Sequence, residues 1–198
     1  MSRKVFDILA SSTGVVVAIM LVIAGGLLTW GHSFVNDNVH SQLAQQQIYF
    51  PPQAAFAHPE AATEITPSMI PSVSQYAGQQ LLTGAQAKTY ANDFIAVHLS
   101  NMPYHGVYSK ISAAALANPH SPQLAALKQT AFTGTTLRGL LLEAYAFSTI
   151  GTIMLWGAIA SFTGAIALSV LVGLGFRHAR RTPADEPILT PKAVPASS

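Results

Sequence analysis

The chain has 198 residues, of which 50% are hydrophobic and 9% charged, against about a quarter charged in an ordinary soluble domain. Ten Lys and Arg against eight Asp and Glu leave a net charge of +2, which excludes both the basic footprint of a nucleic-acid binder and the acidic composition of a solvated, disordered chain. Cysteine is absent, so disulfides, thiolate metal sites, a nucleophilic Cys and a Cys lipid anchor are excluded together.

The first element is an uncharged run of 24 residues between Asp7 and His32. A helix needs about 20 residues to cross the hydrocarbon core, so Ile8 to Trp30 is expected to be a transmembrane helix. The run exceeds the roughly 7–15 apolar residues of a secretory signal peptide, and it leads into Trp30, Gly31 and His32. Val35, Val39 and Leu43 then recur every four residues, which extends the helix outward to about Gln46, where Pro51 and Pro52 follow. QIYF, residues 47 to 50, is the one candidate short strand. Five prolines between Pro51 and Pro71 predict an irregular segment.

Thr83 is a candidate N-cap for a helix from about Gly84 to Leu99, because Ala87, Tyr90, Phe94 and Val97 share one face. After Pro103 and Gly106, Tyr108 to Ala117 reads as a shorter helix. Ser121 followed by Pro122 signals another helix, expected to end near Phe132. The second uncharged run covers 33 residues from Ala144 to Phe176 and is closed by Arg177, His178, Arg180 and Arg181. Counting about 20 residues back from Phe176 places its far interface near Trp156, so Trp30 and Trp156 form a sparse aromatic belt at one level. A helix from Thr135 to Phe176 would be about 60 Å long, twice the hydrocarbon thickness, so its outer half, the apolar residues 135–155, requires cover. The outward extension of the first helix and the helix at 84–99 are expected to supply it, or else a partner subunit.

Arg3 and Lys4 flank one span and Arg177, Arg180 and Arg181 the other, which puts both termini in the cytoplasm and residues 32 to about 150 outside a bacterial cell membrane. The expected organisation is all-α. It comprises a cytoplasmic N-terminus at 1–7, transmembrane helices at 8–30 and 153–176, an enclosed extracytoplasmic helical domain at 31–152, and a disordered cytoplasmic tail at 177–198. The stretch from Thr182 to Ser198 has four prolines and no periodicity, and contains no signalling domain.

Three blocks, FVNDNVHSQLAQQQIYFPP, YAGQQLLTGAQAKTYANDFIAVHL and QTAFTGTTLRGLLLEAYAFSTIGTI, resemble a family of actinobacterial two-span membrane proteins with no assigned biochemical role. The resemblance covers roughly residues 20 to 177 and implies the two-span architecture. Some members carry the label of aromatic ring-opening dioxygenase, a chemistry that requires a non-haem iron held by two His and a carboxylate. No residues of this sequence fix that arrangement, so the resemblance supplies no catalytic residue.

Six of the seven histidines, His32, His40, His58, His98, His105 and His120, fall between the spans, but none are three or four apart. They are expected in surface, capping or hydrogen-bonding roles, with no metal and no cofactor. Arg138 and Glu143, the only charges just before the second run, are candidate polar contacts to a neighbouring helix or a partner; their five-residue offset is poor for a direct pair. Gly157, Ser161, Ala165, Ser169 and Gly173 form a row of small residues at four-residue spacing, and Ala10, Gly14 and Ala18 a shorter one. Such rows let helices approach closely in lipid. They serve packing of the two spans against each other, a homodimer or a membrane-protein complex. Glu60 and Glu64 sit four apart with no histidine placed to use them, and no catalytic triad order, P-loop or dinucleotide fingerprint occurs. The expectation is therefore not an enzyme but an accessory or scaffold protein that binds a protein partner through its external bundle. The alternative is a ligand-binding sensor or substrate-delivery module without its own output domain, with a pocket among Tyr90, Phe94, Tyr104 and Tyr108.

Overall fold

The computed structural model describes residues 2–59 and 65–183, so Glu60, Glu64 and the tail beyond Pro183 lie outside the described residues. The described chain is all-α: α1 Arg3–Gln45, α2 Gln53–Ala57, α3 Ile70–Val73, α4 Gly84–Thr89, α5 Ala96–Asn101, α6 Tyr108–Ala117 and α7 Pro122–Arg181. A π-helical stretch, Tyr90–Ile95, joins α4 to α5, and 3₁₀ turns follow α3 and α5. Two helices, α1 and α7, are long and apolar enough to cross a membrane. The chain forms two compact units, one of residues 1–31 with 153–198 and one of residues 32–152.

In the first unit α1 and α7 run antiparallel. Among the less exposed positions are, on α1, Asp7, Ser11, Gly14, Ala18, Leu21, Gly25 and Leu28, and on α7 Met154, Ala158, Ser161, Ala165, Leu168, Val172, Gly175 and Ala179, with Ala24, Gly157, Gly164 and Phe176 beside them. Their alternating spacing of three and four is the 3.5-residue repeat of a left-handed supercoiled pair. Glycines allow the approach: a Cβ on Gly14 would meet Val172 Cγ2 at 2.5 Å, one on Gly25 the Phe162 ring at 2.9 Å and one on Gly31 Met154 Sδ at 2.9 Å. Leu21, Leu28, Met154, Leu168 and Val172 fill the seam between the small residues, while many other large side chains point away from it, with Met20 62%, Leu27 65%, Ile166 68% and Leu171 63% exposed.

The second unit has a conventional core of Leu43, Phe50, Phe56, Ile65, Met69, Val73, Leu81, Ala87, Ala91, Ile95 and Leu141. Segments 48–50 and 79–81 are tied by Phe50 N–H to the Gln79 carbonyl at 2.9 Å and Leu81 N–H to the Ile48 carbonyl at 2.9 Å. That pairing amounts to one antiparallel bridge, Tyr49 with Gln80, so residues 47–50 are not the short strand expected of them. Gln47 takes a φ of 50° and Pro51 lacks an N–H, which stops the ladder on both sides.

The helix expected from Pro122 to about Phe132 continues without a break to Arg181. Thr133, Gly134, Thr135 and Thr136 are weak helix formers, yet Leu99 of α5 packs over Gly134, where a Cβ would meet Leu99 Cδ2 at 2.9 Å. Tertiary packing overrides the local preference at this point.

Candidate functional site

Thr83 builds the start of α4. Its hydroxyl accepts from Gln86 N–H at 3.3 Å, and Gln86 Oε1 accepts from the N–H groups of Thr83 at 3.0 Å and Leu82 at 2.9 Å, a complete capping box. Gln86 Nε2 also donates to Gln79 Oε1 at 3.1 Å. The expected face of Ala87, Tyr90, Phe94 and Val97 does pack on the core, but Ala91 and Ile95 are buried as well. The π-helical stretch widens the buried face there, and such turns recur at functional sites.

From this stretch an aromatic ladder runs through the second unit. Tyr90 packs tilted on Phe94 at 4.8 Å between centroids, Phe94 edge-on to His98 at 4.5 Å, Tyr90 edge-on to Phe50 at 5.3 Å, and Phe50 tilted on Tyr76 at 5.1 Å. Burial raises the Tyr90 hydroxyl above its ordinary pKa. The four rings expected to line one pocket are not brought together: Tyr108 packs on Phe132 at 5.7 Å and Tyr104 is exposed. Tyr90 and Phe94 belong to the core because their helix face meets α7, whereas Tyr104 and Tyr108 lie beyond the chain reversal at Pro103.

Arg138 of α7 reaches the π-helical stretch, where its Nη2 donates to Asn92 Oδ1 at 2.9 Å. Its Nε is buried and has no acceptor among the described residues. Glu143 is exposed. Lys88 lies 4.9 Å from the centre of the Tyr145 ring, and a Cβ on Gly84 would overlap Ser148. Arg138 also lines a groove of about 340 Å³ formed by α5, the loop after it and α7, together with Ser100, His105, Val107, Tyr108 and Thr135. The loop holds three consecutive left-handed residues, Tyr104 at φ 59°, His105 at 55° and Gly106 at 64°. Gly106 is required there, since its Cβ would collide with the Leu99 carbonyl.

On α7 the buried and exposed faces separate sharply. Leu141 is 2% exposed while Leu140 is 52%. Leu140, Phe147 and Ile150 line an uncovered side of the helix, where a Cβ on Gly139 would meet nothing within 4 Å. An apolar groove of about 210 Å³ adjoins it, lined by Phe34, Val35, Asn38, Val39, Gln42 and Phe147.

The other sequence-derived positions are distributed as follows. Among the small residues, Gly14, Ala18, Gly157, Ser161 and Ala165 lie in or beside the α1–α7 seam, whereas Ala10 and Ser169 are exposed and a Cβ on Gly173 would touch nothing. A four-residue row advances about 40° per step around a helix, so it leaves a seam that follows a 3.5-residue repeat. Trp30 and Trp156 are 67% and 66% exposed on the first unit, as are Arg177, Arg180 and Arg181. His178 Nε2 lies 3.7 Å from Asp7 Oδ2.

The histidines serve separate local roles. His32 Nδ1–H donates to the Gly151 carbonyl at 2.8 Å and His98 Nδ1–H to the Phe94 carbonyl at 2.9 Å. His58 caps α2, His120 lies in the turn between α6 and α7, and His40 is exposed. Among the described residues, no three His, Asp or Glu side chains are close enough to hold one ion. The π-helical stretch, the Arg138–Asn92 bond and the left-handed loop have no pattern in the sequence beyond the breaks at Pro103 and Gly106. Comparison of the chain with protein-family models, curated proteins and solved structures gives no match.

Proposed function

We propose that the protein is a two-span membrane scaffold, with both termini in the cytoplasm, whose external helical unit binds a protein partner along the open face of α7. The first unit supports insertion because its outer surface is apolar: leucine, isoleucine, valine and methionine cover it, while Gly14, Ala18 and Ala165 share the seam with Leu21, Leu28, Leu168 and Val172. Contiguous apolar surface of that kind marks contact with lipid or protein. Several of its hydroxyls bond to the carbonyl one turn back, as a hydrocarbon surround favours. Thr29 donates to the Gly25 carbonyl at 2.8 Å, Thr163 to Ile159 at 2.8 Å and Ser169 to Ala165 at 2.7 Å. Orientation follows from Arg3, Lys4, Arg177, Arg180 and Arg181 at one end of the spans.

The observation that carries the scaffold reading is the uncovered row Leu140, Phe147 and Ile150 on a helix that buries Leu141 in the core. Their exposed halves would contribute roughly 1 kcal/mol each if buried by a partner. The lipid bilayer, a second copy or another membrane protein are the neighbours this architecture calls for.

A photo-crosslinking amino acid placed at Phe147 in native membranes tests the reading. It should give a discrete adduct that is lost when Leu140 is changed to Asp. The same probe at Lys110, an exposed position on α6, should give none. Absence of an adduct at Phe147, together with a monomeric mass after gentle detergent extraction, would refute partner binding.

A further inference from the structure

The groove at Arg138 carries an inference beyond partner binding and independent of the membrane reading. Its wall has two chemical halves. Arg138, Ser100, His105, Tyr108 and Thr135 supply hydrogen-bonding groups, and Ala96, Leu99 and Val107 supply apolar surface. Its volume of about 340 Å³ lies at the small end of ordinary ligand pockets.

Arg138 is the only formally charged lining residue other than the titratable His105, and no Asp or Glu lines the groove. A guanidinium has five N–H donors. One is used by Asn92, and Nε has no acceptor among the described residues. Nε is sealed from the groove, but the guanidinium charge meets no carboxylate among the lining residues, and an anion in the groove is its complement. One guanidinium matches a single negative charge in planar, two-pronged geometry, which is the shape of a carboxylate. The left-handed backbone at Tyr104 and His105 is a departure that most residues avoid. It holds the imidazole-bearing loop against the groove, fixed by the contact of Gly106 with the Leu99 carbonyl.

We propose that the groove between α5, the loop at 103–107 and α7 is a binding site for a small organic monocarboxylate. Arg138 and the neighbouring hydroxyls take the carboxylate, and Leu99 and Val107 take its apolar body.

Benzoate is a suitable probe and benzamide its uncharged isostere, titrated calorimetrically into the full-length protein in detergent. Benzoate should bind saturably below about 10 mM, and benzamide at least tenfold more weakly. Arg138→Ala should weaken benzoate at least tenfold, the scale of a lost charge-assisted hydrogen bond. Should that variant not fold, Tyr108→Phe keeps the ring on Phe132, removes the hydroxyl, and should weaken benzoate about threefold to tenfold. Asn92→Ala separates ligand binding from a purely structural Arg138: it removes the existing partner and should leave benzoate affinity equal or tighter. Equal binding of benzoate and benzamide, unchanged affinity in the Arg138 or Tyr108 variant, or inorganic phosphate binding as tightly as benzoate would overturn the proposal.

Discussion

Leu140 and Leu141 are chemically identical neighbours on α7 with opposite surroundings, and their truncation measures how far the packing of the second unit is understood. Leu141 keeps 2% of its surface and sits in the core with Ala87, Ala91 and Ile95; Leu140 keeps 52%. Leu141→Ala removes three buried carbons, about 2.4 kcal/mol of transfer free energy at roughly 0.8 kcal/mol each, and leaves a cavity that adds about 1 kcal/mol. The expected cost is therefore about 3–4 kcal/mol. Leu140 has only half of that surface to lose, which limits Leu140→Ala to about 1 kcal/mol in the isolated chain. Amide exchange of residues 84–101 in the detergent-solubilised protein reads the difference locally. Exchange through global opening of this unit should accelerate about a hundredfold or more for Leu141→Ala and less than tenfold for Leu140→Ala. Equal acceleration in both variants, or less than tenfold for Leu141→Ala, would refute the assigned faces of α7.

Three further outcomes follow from individual residues. Gly106→Ala should destabilise the second unit by about 2–4 kcal/mol, because it combines a left-handed φ with overlap on the Leu99 carbonyl; thermal unfolding checks this. Gly14→Val should loosen the α1–α7 seam, where a Cβ already meets Val172, and Gly26→Val, facing open space, should not. The efficiency of a disulfide between cysteines at Ser11 and Gly175 reports the difference. Tyr90 is neutral in both folded and unfolded chains below its ordinary pKa of 10.0, and burial raises its folded value. Its stabilising contribution is therefore complete below about pH 10 and lost as pH rises through the folded value. Melting temperatures measured from pH 8 to 11 should fall more steeply in the wild type than in Tyr90→Phe.

Much of the architecture was legible in the residues because long apolar runs and caps are local signals. Thr83 and Gln86 specify the start of α4 by themselves, and Pro51 and Pro52 follow the end of α1. The unbroken run of α7 through Thr133–Thr136 was not legible, since it depends on Leu99 packing over Gly134 from a distant part of the chain. The seam between α1 and α7 was partly legible: small residues identified the helices that approach closely, but the 3.5-residue repeat emerges only when Leu21, Leu28, Leu168 and Val172 are counted with them. The Arg138 groove escaped for a different reason. Asn92 meets Arg138 through a π-helical stretch, and the left-handed loop brings His105 to the same groove; neither has a sequence period to betray it. The aromatic residues Tyr90, Phe94, Tyr104 and Tyr108 suggested a pocket by spacing, whereas the chain reversal at Pro103 divides them between core and surface.

The proposed two-span hairpin with its second unit outside the cytoplasm dictates a pattern of single-cysteine labelling in this cysteine-free chain. Gln123 is exposed near the start of α7, and Ser198 is the last residue of the sequence. In intact cells a membrane-impermeant maleimide should label Gln123→Cys and leave Ser198→Cys unlabelled until the membrane is permeabilised. The reverse pattern would contradict the orientation, and recovery of both variants in the soluble fraction would contradict membrane insertion itself.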